Sequence, residues 1–132
     1  MKETETMNKY VLDSSAVLAV INLERGQEAV EAKFFESSIS SVNVAEILTK
    51  LSEKNVDLLG ALDYFLKSGI TVIDYTSEQA RITASLRPLT KHLGLSLGDR
   101  ACLALAIQKS ATAITADRTW TQLDVCPIES IR

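Results

Sequence analysis

The sequence predicts an α/β domain in which helices cover both faces of a mostly parallel β-sheet. Short apolar or β-branched segments alternate with longer helical segments along the chain, which is typical of a parallel sheet. One late helical segment is apolar almost all round, as expected for a helix buried in the core. A length of 132 residues, with 46% hydrophobic and 23% charged residues, is typical of a single globular domain.

The first quarter of the chain predicts a lead-in, one strand and two helices. Residues 1–8 are polar and mixed in charge, so we expect a flexible lead-in before a single domain over residues 9–132. The domain begins with a short strand, Lys9–Leu12, and a helix, Ser14–Asn22, whose apolar residues recur at helical spacing. Gln27–Glu36 is predicted as a second helix because two large apolar residues four positions apart share a face.

The middle of the chain predicts two strands and two helices. Ser38–Ser41 is a short strand built around an isoleucine, and an apolar stripe predicts a helix over Asn43–Leu51. Asp57–Lys67 is strongly amphipathic and predicts a helix with one apolar face. Ile70–Ile73 is a β-branched run, which predicts a strand.

The last part of the chain predicts a long helix followed by the buried helix. The long helix runs from Ser77 to Leu93, and Pro88 inside it should kink or divide it. Asp99–Lys109 is the segment that is apolar almost all round. The remaining predicted elements are a strand, a short helical turn and a last strand: Thr112–Thr115, Asp117–Leu123 and Val125–Ile128.

No apolar run approaches the roughly 20 residues that a membrane-spanning helix needs. The longest are Ala16–Ile21 and Ala101–Ile107, and residues 1–8 lack the apolar stretch of a signal peptide. We therefore expect a cytoplasmic protein that makes no membrane contact.

Charge, cysteine and histidine content narrow the chemistry. A formal net charge of −3 argues against a protein that coats nucleic acid non-specifically, so any contact with nucleic acid must come from a local basic patch. Cys102 and Cys126 are expected to be reduced structural residues. His92 is the only histidine and no Cys-x-x-Cys spacing occurs, which argues against a zinc site.

Four carboxylates recur at one structural position: Asp13, Glu46, Asp99 and Asp117 each follow a predicted strand or lie in the first turn of a helix. In an open parallel sheet such positions meet outside the carboxyl ends of the strands. Taken singly, each acid has a simpler interpretation as a helix cap, with Glu46 in a capping box begun by Asn43 and Asp99 in the first turn after Ser96. Taken together, they would repel one another unless a cation neutralised them.

Oxygen ligands without histidine or thiolate favour Mg²⁺ or Mn²⁺. A water activated by such an ion attacks a phosphodiester in line, and the metal stabilises the charge that develops on the phosphoryl oxygens. Because this water needs no help from the 2′-hydroxyl of the substrate, we expect products with 5′-phosphate and 3′-hydroxyl ends.

Four further segments stand out around the acids: Tyr10–Ala16, Ser41–Ile47, Leu95–Ala106 and Thr115–Trp120. In order and spacing they resemble the motifs of PIN-domain ribonucleases, and in particular those of the VapC toxins of type II toxin–antitoxin systems. The third, LSLGDRACLALA, is the most characteristic, and the resemblance extends from Lys9 to Ile131.

The resemblance implies a three-layer α/β/α sandwich with a roughly five-stranded central sheet. It also implies an endoribonuclease that depends on Mg²⁺ or Mn²⁺, with Asp13, Glu46, Asp99 and Asp117 as both the catalytic and the metal-binding residues. No further cofactor is implied. Proteins of this type act on RNA such as tRNA or ribosomal RNA, form homodimers and are inhibited by a cognate antitoxin protein.

Other residues near the four acids are candidates for supporting roles. The hydroxyls of Ser14 and Thr115 lie beside two of the acids and could hold a metal-bound water, or serve only as a helix cap and a strand end. Arg100 and Arg118 each follow an acid and could contact RNA phosphates, or form structural ion pairs. The apolar face of Asp57–Lys67 could pack on the core or serve a dimer or antitoxin groove.

Two other classes of α/β protein also place an Asp after the first strand. A phosphotransferase of the haloacid-dehalogenase type needs a second Asp two residues later, where this chain has Ser15. A receiver domain needs an acidic pair there and a Lys after a later strand, and residues 111–117 contain no Lys. The alternatives that remain within the resemblance are a PIN nuclease of RNA maturation and a non-catalytic binding module.

Overall fold

The computed structural model describes residues 9–132, so the predicted lead-in over residues 1–8 lies outside the described residues. The five strands form one sheet in the order β3-β2-β1-β4-β5, and every pairing is parallel. The strands are β1 (Tyr10–Leu12), β2 (Ser37–Ser40), β3 (Thr71–Ile73), β4 (Thr112–Thr115) and β5 (Ile128–Ser130). The predicted parallel sheet is thereby confirmed.

Seven α-helices and three 3₁₀ turns connect the described strands. The helices are α1 (Ser14–Ile21), α2 (Gln27–Glu31), α3 (Ser41–Glu53), α4 (Leu58–Ser68), α5 (Ser77–Ser85), α6 (Arg87–Thr90) and α7 (Leu97–Lys109). The 3₁₀ turns are Phe34–Glu36, Lys91–Leu93 and Arg118–Gln122. None of the described helices combines the length and apolarity needed to cross a membrane.

Two apolar clusters, one on each face of the sheet, make the fold a three-layer sandwich. Successive strand residues point to opposite faces, so Leu12 and Val11 enter different clusters. Leu12 packs with apolar residues of α1 to α4, whereas Val11 packs with Leu86, α7 and the fully buried Trp120. The α/β/α architecture is therefore confirmed, with α1 to α4 on one face and α5 to α7 on the other.

Prolines set the bounds of two observed elements: the division of the long helix at Pro88 was predicted, whereas the start of the last strand differs from the prediction. Pro88 lies in the first turn of α6, and the predicted long helix is divided there into α5, α6 and a 3₁₀ turn. A proline is tolerated in a first helical turn but cannot continue the hydrogen bonding of a preceding helix. The last strand begins at Ile128 rather than Val125, because Pro127 has no N–H to donate and contributes only its carbonyl, which accepts from the Ala113 N–H.

The predicted helix over Gln27–Glu36 is shorter than expected. The α-helix ends at Glu31, and a 3₁₀ turn then brings Phe34 into the core and leads directly into β2. The Ser37 hydroxyl donates to the Lys33 carbonyl at 2.7 Å, which ties this turn to the start of the strand. Burial of Phe34 and pairing of β2 thus override the local helical pattern.

Candidate active site at the carboxyl ends of the central strands

The four predicted acids follow the three central strands of the sheet or open the helix that packs beside them. Asp13 comes directly after β1, Glu46 lies in the helix that follows β2, and Asp117 comes two residues after β4. Asp99 lies in the first turn of α7. The chain order of the strands reverses between β1 and β4, and this switch point is where parallel α/β sheets form a crevice for ligands.

Asp13 is a buried carboxylate, only 4% exposed, and it caps the N-terminus of α1. Its Oδ2 accepts a hydrogen bond from the Thr115 hydroxyl at 2.6 Å, and its Oδ1 accepts one from the Ala16 N–H at 2.8 Å. The Ser15 hydroxyl lies within hydrogen-bonding distance of both oxygens, at 2.8 and 2.9 Å. Burial, with a smaller contribution from the charge of Asp99, raises the pKa of Asp13 to about 6 against the lowering effect of these hydrogen bonds.

Asp99 interacts electrostatically with all three of the other acids. Burial raises its pKa, hydrogen bonds from Ser96 lower it, and the negative charges of Glu46 and Asp117 raise it again. Asp99 in turn raises the pKa of Asp13. Because such interactions weaken with distance, the four carboxylates are neighbours at one edge of the sheet.

Asp99 also belongs to a capping box, as its sequence position predicted. The Ser96 hydroxyl accepts from the Asp99 N–H at 3.1 Å, and Oδ2 of Asp99 accepts from the Ser96 N–H at 2.9 Å. The helix therefore begins at Leu97, two residues before the predicted start, and its first turn holds the Asp99 carboxylate in place.

Glu46 does not cap its helix, so the capping box predicted from Asn43 and Glu46 is wrong. Ser40 is the N-cap of α3, and its hydroxyl accepts from the Val42 N–H at 3.1 Å. Glu46 therefore lies in the second turn of α3, past the reach of the free N–H groups.

The Glu46 carboxylate is held by two side chains. Its Oε1 accepts hydrogen bonds from the Ser14 hydroxyl at 2.5 Å and from Nδ2 of Asn43 at 2.9 Å. Asn43 is 1% exposed and also donates to the Gly98 carbonyl at 3.1 Å. Asn43 thus connects the acid of α3 to the first turn of α7.

Gly98 makes room for Glu46. A β-carbon at this position would lie 2.6 Å from Oε1 of Glu46 and closer still to Oε2. Only glycine leaves space for the carboxylate against the first turn of α7, next to Asp99.

Asp117 is exposed at the mouth of the site and caps the 3₁₀ turn that follows it. Its Oδ1 accepts from the Thr119 N–H at 3.0 Å and from the Thr119 hydroxyl at 2.7 Å. The Asp117 N–H donates to the Thr115 hydroxyl at 3.1 Å, and that hydroxyl donates to Asp13. One threonine therefore links the two acids that follow β1 and β4.

The candidate supporting residues lie in different surroundings. Ser14 and Thr115 contact the predicted acids directly, as described above. Arg100 points to the layer of α5, where its Nη1 donates to the Thr83 carbonyl at 3.1 Å. Arg118 is exposed in the 3₁₀ turn beside Asp117.

Sequence reasoning missed Ser15, Asn43 and Gly98. Ser15 was considered only as a position lacking a second acid, yet its hydroxyl contacts Asp13 and accepts from the Ala116 N–H at 2.9 Å. Asn43 was interpreted only as a helix start. The available signal was their spacing, because each lies within one helical turn of an acid.

The carboxylates are close but do not form a preassembled ligand set. Within residues 9–132, no group of three or more His, Cys, Asp or Glu side chains is arranged to hold a metal ion as the side chains stand. The hydrogen bonds described above turn each acid towards donors on its own helix or turn, Asp13 also towards Thr115 of β4, and Glu46 also towards Ser14. The cluster therefore combines hard oxygen donors with mutual repulsion, which a cation would relieve.

Metal-free protein should lose stability as the pH rises through the titration of Asp13. Its folded-state pKa of about 6 lies above the ordinary value of 3.8, so this group stabilises the fold fully below pH 3.8 and progressively less as the pH rises through 6. Two pKa units correspond to about 3 kcal/mol. Urea unfolding of wild type and Asp13→Asn in chelator, from pH 4 to 7, measures the effect. As the pH rises from 4 to 7, the free energy of unfolding of the Asp13→Asn protein should rise relative to that of wild type by most of this amount. A difference between the two proteins that does not change with pH would contradict the assignment.

Comparisons with known proteins identify the family and the fold. The PIN domain family model matches residues 10–125, which include all four acids. No curated protein matches the chain. Among solved structures, the fold is similar to a chain of a toxin–antitoxin complex from Klebsiella pneumoniae, with a TM-score of 0.75 and 18% identity over 93% of this chain and 98% of that one.

Two further structures have the same fold. VapBC2 from Rickettsia felis, bound to a DNA fragment from its promoter, gives a TM-score of 0.70 and 21% identity over 92% of this chain and 97% of that chain. FitAcB from Neisseria gonorrhoeae gives a TM-score of 0.70 and 18% identity over the same shares, 92% and 97%. At these identities the likeness concerns the fold, and the family model covers most of the chain. The chain therefore belongs to the PIN domain family.

Proposed function

We propose that this protein is a Mg²⁺- or Mn²⁺-dependent endoribonuclease and the toxin of a type II toxin–antitoxin pair. One observation supports the proposal: at the switch point of a parallel sheet, Thr115 links Asp13 to Asp117, while Glu46 lies against Gly98 in the turn that carries Asp99. These acids are far apart in the chain and lie at one edge of the sheet, which favours a function for the cluster beyond helix capping.

The residues present fit a hard divalent cation. All four side chains offer carboxylate oxygens, and burial, with a smaller contribution from neighbouring carboxylates, raises the pKa of Asp13 and of Asp99. Asp13, Glu46, Asp99 and Asp117 would hold the ion. A bound Mg²⁺ or Mn²⁺ supplies an acidified water and neutralises charge on the phosphoryl oxygens.

The surrounding residues position the acids. Thr115 and Ser15 donate to Asp13, Ser14 and Asn43 donate to Glu46, and the Ser96 N–H donates to Asp99. In this proposal these donors keep the carboxylates ionised and fixed in direction while RNA binds, which lowers the reorganisation needed for reaction.

Cleavage should require a divalent ion and should leave 5′-phosphate and 3′-hydroxyl ends. Protein stripped with EDTA should cut a labelled RNA panel only after Mg²⁺ or Mn²⁺ is restored, and a substrate with 2′-deoxyribose at the cut site should still be cut. The deoxy substrate is the control for contaminating nucleases that use the 2′-hydroxyl. Cleavage that persists in EDTA, or 2′,3′-cyclic phosphate ends, would contradict the proposed reaction.

The proposed partner is an antitoxin that covers an apolar groove, with a second copy of the chain as the other expected partner. A cavity of about 510 Å³ lies between the end of α1 and the face of α4 and is lined by Ile21, Leu23, Val56 and Phe65 among others. Leu59 and Leu66 of α4 do not line this cavity and are 76% and 86% exposed. An apolar groove of this kind favours docking of a partner segment, and the similar structures include toxin–antitoxin complexes.

Induced expression of the protein in a bacterial host tests the toxin assignment. The proposed site of action is the cytoplasm, where RNA is available. Growth should stop on induction and resume when the product of an adjacent small gene is co-expressed. Normal growth with active enzyme in vitro would instead favour a PIN nuclease of RNA maturation. Folded protein that binds RNA but never cuts it would favour a binding module.

A further inference from the structure

A basic pocket opens beside the acidic cluster. It has a volume of about 220 Å³ and lies between α1, the C-terminal half of α3 and the end of the chain. Ser15 and Ala116 form the wall nearest the site, where the Ser15 hydroxyl contacts both Asp13 and the Ala116 N–H. The opposite wall carries the cations Lys50, Lys54 and Arg132.

Two of these cations are uncommitted. Arg132 pairs with Glu24, the one acid of the pocket, at 2.6 Å. The side chains of Lys50 and Lys54 form neither an ion pair nor a hydrogen bond in the part of the chain that the structure describes. They lie one helical turn apart, where two like charges destabilise each other unless an anion binds between them.

The two lysines continue a line that starts at an acid of the site. Glu46, Lys50 and Lys54 are spaced four residues apart, so they follow one another along the same side of α3. Lys50 also lines a second groove, of about 640 Å³, together with Glu46, Ser96 and Gly98. Lys50 therefore lies at the junction between the acidic site and the basic pocket.

We infer that Lys50 and Lys54 bind the backbone phosphates of RNA next to the scissile phosphodiester and so position the strand in the site. This inference rests on the proposed ribonuclease function. A protein with a net charge of −3 and four clustered acids repels RNA, so the attraction must come from a local group of cations. Phosphates close to the acids would meet Lys50 first and Lys54 one turn further along.

The double variant Lys50→Gln/Lys54→Gln tests the inference, with Lys67→Gln/Lys109→Gln as a control of equal charge change. Lys67 and Lys109 lie at the ends of α4 and α7, just before β3 and β4, and thus at the opposite edge of the sheet. RNA binding is measured in EDTA, by the anisotropy of a labelled oligonucleotide at several salt concentrations. KM and kcat are measured separately in Mg²⁺.

We expect the Lys50→Gln/Lys54→Gln protein to bind RNA on the order of tenfold more weakly at low salt. Its salt dependence should fall by about 1.4 in log–log slope, as expected for two lost phosphate contacts with a single strand. KM should rise as RNA binding weakens, whereas kcat should change much less. The Lys50→Arg/Lys54→Arg protein should keep the salt slope and the KM of wild type.

Equal effects in the control variant, or an unchanged salt slope, would overturn the inference. The binding assay in EDTA keeps it separate from the proposed function. If wild type fails to cut RNA but the Lys50→Gln/Lys54→Gln protein binds RNA more weakly than wild type, the nuclease proposal fails and the phosphate site stands. If wild type cuts RNA and the double variant binds RNA as well as wild type does, the nuclease proposal stands and the phosphate site fails.

Discussion

Replacement of Asp99 by asparagine should lower RNA cleavage by about three orders of magnitude while leaving the fold intact. Asp99 is the acid whose charge interacts with the other three, so its loss removes the centre of the cluster. Removal of one key electrostatic or acid–base group typically reduces kcat by about 10²- to 10⁴-fold. Asparagine retains an oxygen that can accept from the Ser96 N–H, so the cap of α7 should persist.

Single-turnover cleavage of labelled RNA in Mg²⁺, with circular dichroism as the check on folding, measures this effect. Asp63→Asn is a matched control, because Asp63 lies on the exposed face of α4 and, within residues 9–132, forms an ion pair only with Lys67. The control should cut RNA like wild type. Cleavage by the Asp99→Asn protein within tenfold of wild type would exclude Asp99 from the reaction.

Replacement of Gly98 by alanine should reduce cleavage by about 100-fold with little change in stability. The added β-carbon overlaps the Glu46 carboxylate, which is the end of a flexible side chain and can move away. The free energy of unfolding should therefore change by only about 1 kcal/mol, since alanine also favours the helix. Activity should fall because Glu46 leaves its position between Ser14 and Asn43.

A double-mutant cycle identifies the cause of the Gly98→Ala defect. In a Glu46→Ala background the β-carbon has no carboxylate to displace, so Gly98→Ala should add little further loss. Gly60→Ala is the control for helix propensity, because a β-carbon there would lie 3.6 Å from Asp57, an ordinary contact. Additive losses in the cycle would show that Gly98 acts other than through Glu46.

The positions of Asp13, Asp99 and Asp117 in the fold could be predicted from the sequence, because each depends only on the strand or helix next to it in the chain. Two of them come just after a strand and the third opens a helix, so the rule that parallel strands end at a common edge places them together. The capping roles of all three are equally local and are confirmed. These acids cap a helix or turn and face the site at the same time.

The surroundings of Glu46 could not be predicted in the same way. Either Ser40 or Asn43 can cap a helix, and the choice is made by β2, which pairs with β3 as far as Ser40. The roles of Asn43 and Gly98 depend on the contact between α3 and α7, which are far apart in the chain. No local pattern encodes a contact between two distant helices.

The hydrogen bond from Thr115 to Asp13 joins the first strand of the domain to the fourth. During translation, a ribosome that has not yet made β4 holds a chain without Thr115 and Asp117. Asp13 then has neither its donor from β4 nor the acid that follows that strand. On the ribonuclease function proposed above, the site would therefore be assembled only after β4 is made, late in synthesis.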